Sequence, residues 1–221
     1  MPQPSALMIR IRKNVSLILA IAMLSISSVA SKEFSMPAAK PAATYAAHDQ
    51  HSDEKVTVAV DLYDTPEKAN IFSAHYAEAG MLPIFVVVTN DGDQPVVMTG
   101  MKAELVTMDR SKLAPATVDD IYRRLSHPAP RNNYPLPFPT GKIKGGVNKQ
   151  TLGEIKRSQF EARAVEPHST QAGFIFFDVA DLSGTLSGAR FYLTGVRDSN
   201  GNELMYFEVP LGKLNSSAKP D

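Results

Sequence analysis

The sequence has no cysteine, and that absence alone excludes disulfides, thiolate metal sites, a cysteine nucleophile and the acylated cysteine of a bacterial lipoprotein. Tryptophan is also missing and aromatics make up 8% of the chain, which argues against a carbohydrate-stacking platform. Charge of one sign is lacking too: 23 basic and 23 acidic residues give a formal net charge of zero. No global field therefore draws the chain to nucleic acid or to an anionic membrane. The longest apolar run, Val15 to Ile26, is too short for the roughly 20 residues that span a bilayer as a helix.

What is present begins with the three parts of a signal peptide over residues 1–30. Arg10, Arg12 and Lys13 form a basic region, the apolar run follows, and Ser28-Val29-Ala30 supplies small residues at a cleavage site. Export to the periplasm or medium is the expectation, with no stable anchor after cleavage. Removing this segment takes away three basic residues and no acid, leaving 20 basic against 23 acidic. Residues 31–54 are rich in Ala and Pro without an apolar period, so a disordered leader is expected. Within it, His48-Asp49-Gln50-His51-Ser52-Asp53-Glu54 offers imidazole and carboxylate groups to a metal, but a leader without a scaffold supplies no fixed geometry, and a solvated hinge is the reading preferred.

From Lys55 onward the pattern is that of strands. Val56, Val58, Val60 and Leu62 alternate with Thr57, Ala59, Asp61 and Tyr63, as in a half-buried strand. Thr65 and Pro66 open a short helix that Gly80 closes. Met81 to Asn90 is apolar on both faces and predicts a central strand; Asn90-Asp91-Gly92-Asp93 turns the chain, and its partner strand puts Val97, Met101, Ala103 and Leu105 on one face, interrupted at Gly100. Met98, Met101 and Met108 suggest a copper(I) surface by their thioethers, yet residues 98 and 101 fall on opposite faces of a strand, and gap-filling core methionine is preferred. Thr117 to Asp120 opens a helix through Leu125. Farther on, Phe160, Ala162 and Ala164 alternate, Gly173 to Val179 is a second strand apolar on both faces, and Ala189, Phe191 and Leu193 point inward. Asn200-Gly201 predicts a type I′ hairpin leading into Met205, Phe207, Val209 and Leu211 on the inner face. Residues 212–221 read as a frayed tail.

Seven strand candidates without a βαβ rhythm predict an all-β fold with small helical insertions, an antiparallel immunoglobulin-like β-sandwich over residues 55–211. A Pro/Gly-rich insertion, residues 126–150, interrupts it. Its stretch from His127 to Gly146 holds five prolines and three glycines, a composition no sheet interior accepts. Long excursions on rigid scaffolds are where binding resides, and Tyr134, Phe138, Lys142 and Lys144 are the partner-binding candidates there. The basic run continuing through Lys149, Lys156 and Arg157 lacks the spacing of a phosphate loop and reads as a solvated, mobile loop.

The run Phe85 to Val96, FVVVTNDGDQPV, followed by Val165 to Phe177, VEPHSTQAGFIFF, resembles uncharacterised exported bacterial proteins with an immunoglobulin-like domain. The resemblance spans roughly residues 55–211 and implies the fold and export; it brings no active residues with it.

No GxSxG, HExxH or paired-cysteine motif is present, and His75, His127 and His168 are far apart in sequence. The reading is a non-catalytic module without cofactor or catalytic residues, which presents the Pro-rich insertion, and with it an exposed strand edge, to a protein partner in the cell envelope. A periplasmic small-ligand or copper-type metal carrier is the alternative, and an accessory domain of a cell-envelope enzyme system a second one.

Overall fold

The computed structural model describes residues 33–127, 147–182 and 186–211. Its strands are β1 (Ala47–His51), β2 (Val56–Leu62), β3 (Met81–Asn90), β4 (Val96–Val97) and β5 (Lys102–Val106). They continue with β6 (Lys112–Leu113), β7 (Ala164–Val165), β8 (Ser169–Asp178), β9 (Arg190–Thr194) and β10 (Phe207–Pro210). Three α-helices accompany them: α1 (Pro66–Ala69), α2 (Val118–Ser126) and α3 (Lys149–Ser158). The chain is mostly β, and all named strand pairs are antiparallel. The strands form two four-stranded sheets, ordered β1-β2-β3-β8 and β10-β9-β5-β6, and a small β4-β7 pair. The described residues thus hold ten strands where the alternation predicted seven: β1 and β6 are too polar or too short to show a period, and the single strand expected from Pro95 to Met108 as the partner of β3 is split into β4, which pairs with β7, and β5, which pairs with β9.

All ten residues of β3 are buried, as its two apolar faces predict. Ile84, Val86 and Val88 join Val56, Val58 and Val60 in a cluster with Leu105, Phe191, Leu193, Phe207 and Val209 of the second sheet. Phe85 and Val87 face the other way, packing with Phe174, Phe176, Ile121 of α2 and Ile155 of α3. The first sheet is therefore covered on both faces, and each fully buried Phe contributes about 2–3 kcal/mol of burial. This corrects the half-buried reading of β2: Val56 to Val60 are buried without exception, Thr57 and Ala59 included.

Residues 33–54 are not a disordered leader. Phe34 is buried and stacks on Phe72, centroids 5.5 Å apart. Ala42 is buried, and its amide donates to Thr89 Oγ1 at 2.8 Å. β1 pairs with β2 from Ala47↔Val60 to His51↔Val56. A composition average misses this, because two apolar anchors and one sheet edge suffice to order a polar segment against a sheet that already exists.

Local signals held where a cap marked them. Thr65 Oγ1 caps α1, with Pro66 in the first turn, but the helix ends at Ala69 and Gly80 instead closes a separate 3-10 turn, Ala77–Ala79. Thr117 and Asp120 form a reciprocal capping box on α2. The stretch read as a mobile basic loop includes α3, capped by Asn148 Oδ1 accepting from Thr151 N at 2.9 Å. Gly153 lies inside this helix and lowers its intrinsic propensity. Phe160 to Ala164 is not a regular strand; after α3, Gln159 bridges Phe174 in parallel and only Ala164 and Val165 pair further.

At Asn200-Gly201 only the glycine has positive φ, 86°. Gly201 N donates to Asp198 O, and Asp198 N to Asn202 O, so the turn is a type I turn with a glycine bulge rather than type I′. Met205 is 68% exposed and does not share the inner face of Phe207, Val209 and Leu211. The segments 1–30, 128–146 and 212–221 lie outside the described residues. No helix among the described residues is long and apolar enough to cross a membrane.

Candidate functional site

Proline sets up the site. The β5-β6 hairpin registers Leu105↔Leu113 and Val106↔Lys112, which would place residue 115 opposite Ala103. That residue is Pro115, with no N–H to give, and the chain leaves the second sheet there. It crosses to the outer edge of β8, where Pro115 bridges Phe177 and Ala116 N donates to Phe176 O at 2.7 Å. Farther along the same edge, Phe160 N donates to Phe174 O at 2.9 Å. Gly173 permits this approach: a Cβ there would sit 2.5 Å from Phe160 Cα and 2.7 Å from the carbonyl oxygen of Gln159.

A groove of about 900 Å3 opens beside these segments. Met101, Ala103 and Val106 line it on the β5 side, Phe160, Phe174 and Ile175 on the β8 side, and Pro115 borders it. Tyr192 and Tyr206, ring centroids 6.0 Å apart, stand at its rim. Tyr206 is 52% exposed. Lys112 Nζ meets Glu104 Oε2 at 3.0 Å beside the opening, and Lys102 adds a second ammonium. The walls are apolar and the charges peripheral, an arrangement that binds by burial and shape.

The opposite side of the two sheets is closed. Asp49 Oδ2 of β1 accepts from Glu208 N of β10 at 2.8 Å, and Glu54 Oε1 accepts from Met205 N at 3.0 Å. His51 lies between the two carboxylates, Nδ1 2.8 Å from Glu54 Oε2 and Nε2 3.3 Å from Asp49 Oδ2. The motif read as a solvated hinge is thus a clamp between the two edges. His48 turns the other way, its Nδ1 2.7 Å from Tyr45 O. Among the described residues no group of three His, Cys, Asp or Glu side chains is arranged to hold a metal ion.

The methionines separate: Met98 is core, Met101 packs at its margin, and Met108 is 73% exposed. The other predicted histidines are not brought together. His75 is 3.9 Å from Glu78, His168 Nε2 is 3.1 Å from Asp93 Oδ1, and His127 ends α2. Tyr134, Phe138, Lys142 and Lys144 lie outside the described residues.

Sequence reasoning missed the buried carboxylate of Glu154, 1% exposed on α3. Its oxygens accept from Ser73 N at 2.7 Å, Ser73 Oγ at 2.5 Å and Ala74 N at 3.2 Å. These three donors make the carboxylate an anchor of α3 to the loop at 72–76. The nearby Tyr76 hydroxyl is buried with no hydrogen bond of good geometry, and burial, reinforced by Glu154, holds its pKa far above the usual tyrosine value. Burial, followed by the neighbouring Asp61, pushes Tyr63 up to about 12. On α2, hydrogen bonding to Asp178 at 2.6 Å holds the Arg124 guanidinium more firmly protonated, and Asp181 lies 3.4 Å away.

No protein-family model matches this chain, and no curated protein and no solved structure matches it either.

Proposed function

We propose that the chain is an exported, non-catalytic interaction module that holds a segment of a protein partner of the cell envelope, in the periplasm or outside the cell. Its scaffold is read as an immunoglobulin-like β-sandwich, the two four-stranded sheets being the layers and β4-β7 an appendage. Their shared cluster of Val86, Val88, Leu105 and Phe191 supports that reading. The Pro-rich insertion that leaves α2 at its end and returns before α3 belongs to the same partner-facing apparatus.

The observation that carries the reading is the groove between β5 and β8. It combines apolar walls, a rim of exposed Tyr206 with Met205 beside it, and charges only at its border. Tyr and Met are enriched where proteins meet proteins, and a catalytic pocket would instead converge titratable groups on one point. The size of the groove also falls in the range of small-ligand pockets, which keeps a carrier of an apolar small molecule as the second reading.

A photo-crosslinking amino acid placed at Tyr206, and separately at the exposed Tyr122 of α2, distinguishes the two in cells. The expected outcome is one discrete protein adduct from position 206 and none from 122. Equal adduct patterns from both positions, or no protein adduct from 206, would sink the partner reading.

A further inference from the structure

Building on the groove reading, we infer that the occupant is an extended polypeptide that adds as a strand to the β5 edge at Ala103, in the place from which Pro115 withdraws the chain. Thr107 N donates to Ser111 O at 3.0 Å, which puts the main-chain groups of Thr107 on the β6 side. Alternation along a strand then puts those of Leu105 and Ala103 on the same side. Leu105 is paired with Leu113, whereas the position opposite Ala103 falls to Pro115. Among the described residues, the N–H and C=O of Ala103 make no hydrogen bond to Pro115, and Ala103 lines the groove.

An apolar small molecule would cover these groups without hydrogen-bonding them, at a cost. A strand satisfies both. Met101 N already donates to Met98 O at 3.0 Å, so the open edge runs from Lys102 to Glu104, three residues or roughly 10 Å, enough for one closely bonded pair with flanking contacts. The rest of the fold treats its edges differently: the amides of Met205 and Glu208 on the far side are already taken by Glu54 and Asp49. Edges left open are pairing templates, and among the described residues this stretch of β5 is left open while the β8 edge beside it and the far side are covered.

The side chains around the edge set the chemistry of the segment. Lys102 and Glu104 pair with Thr194 and Tyr192 on the outer face, and Ala103 pairs with Leu193. A residue opposite Ala103 therefore sends its side chain toward Phe160 and Ile175 and must be apolar. Its two neighbours point to the polar outer face. The segment has an apolar residue between polar ones, in extended conformation.

The test uses the full chain and two synthetic pentapeptides, Thr-Thr-Val-Thr-Thr and the same sequence methylated on the valine nitrogen. Methylation removes the donor to Ala103 O while keeping the apolar side chain. The unmethylated peptide is expected to slow exchange of the Ala103 amide about tenfold or more at saturation, and the methylated one to bind about tenfold or more weakly. Equal binding of both peptides would overturn strand addition while leaving the groove as a binding site. Binding of neither peptide would also overturn it, and the crosslink from position 206 then decides whether the groove reading falls with it. A concentration-dependent dimer in which the Ala103 amide is protected without peptide would make a second copy of this chain the occupant and overturn the proposal in that direction.

Discussion

His51 lies flat on Phe207, ring centroids 4.1 Å apart and planes 16° from parallel, although the two residues belong to strands of different sheets. The stack joins the edge strand of one layer to the edge strand of the other. Around it, Asp49 and Glu54 take the free amides of Glu208 and Met205. The clamp thereby stabilises the layer pair and hides a pairing edge in one arrangement.

His51→Ala removes the stack and the imidazole between two carboxylates, and is expected to destabilise by about 1–3 kcal/mol, read as a lower urea midpoint. His51→Phe keeps the stack alone and should recover part of the loss. The double variant Asp49→Ala, Glu54→Ala has a different signature: it uncovers the amides of Glu208 in β10 and of Met205 just before it, so self-association in sedimentation should rise more than stability falls. A double variant that loses stability but stays monomeric would show that these carboxylates do not guard the edge.

Gly173→Ala tests how the groove is built. The added methyl meets backbone of Gln159 and Phe160 rather than a yielding side chain, so the crossing segment must shift. A loss of about 1–3 kcal/mol is expected, together with displaced amide resonances at 159–160. Gly201→Ala is the control: nothing lies within 4 Å of a Cβ there, and only the strain of φ 86° is felt. Unchanged resonances at 159–160 in Gly173→Ala would mean that the segment does not depend on this contact.

These two sites also show what was legible beforehand. The FVVV and FIFF runs announced their burial, because two apolar faces have only one place to go. The caps at Thr65 and Thr117 were readable from a few adjacent residues. The groove was not, since its cause is a coincidence of register: Pro115 falls opposite Ala103 only once Leu105 is known to pair with Leu113. Likewise Asp49 and Glu54 carry the composition of a metal motif, and only the approach of β10 across 151 and 159 residues of sequence turns them into acceptors for amides. Glu154 gave no sign of burial, because its three donors come from a loop about 80 residues away.

The pH dependence of stability follows from groups whose ionised forms the fold disfavours. Burial raises the pKa of Asp64 above its usual value, against the smaller lowering effects of its own backbone and Lys68. A carboxyl raised on folding gives its full stability below the unfolded-state pKa and loses it as pH rises through the folded value. Asp64→Asn should therefore gain stability relative to the parent between about pH 3 and pH 7, measured as a Tm difference that grows over that window. A flat difference would refute the assignment. At the alkaline end Tyr63, held at about 12, contributes stability that is lost as pH rises from about 10 through that value. Ultraviolet titration should leave Tyr63 and the still higher Tyr76 un-ionised at about pH 11 while the fold persists.

Deleting residues 128–146 separates the insertion from the groove and keeps His127 at the end of α2 and the Asn148 cap of α3. The segment joins the end of α2 to the start of α3, and both helices keep their own anchors. Ile121 and Leu125 of α2 are buried and Arg124 holds Asp178; Glu154 and Ile155 tie α3 to the loop at 72–76 and to the sheet. A shortened linker in its place should thus leave the cooperative unfolding transition intact, with Tm lowered by no more than a few degrees. If the insertion is part of the partner-facing apparatus, the adduct from position 206 disappears in this variant. An adduct of undiminished yield would assign capture to the groove alone, with β5 and its rim of Tyr192 and Tyr206 sufficient for it, and would take Tyr134, Phe138, Lys142 and Lys144 out of the binding surface.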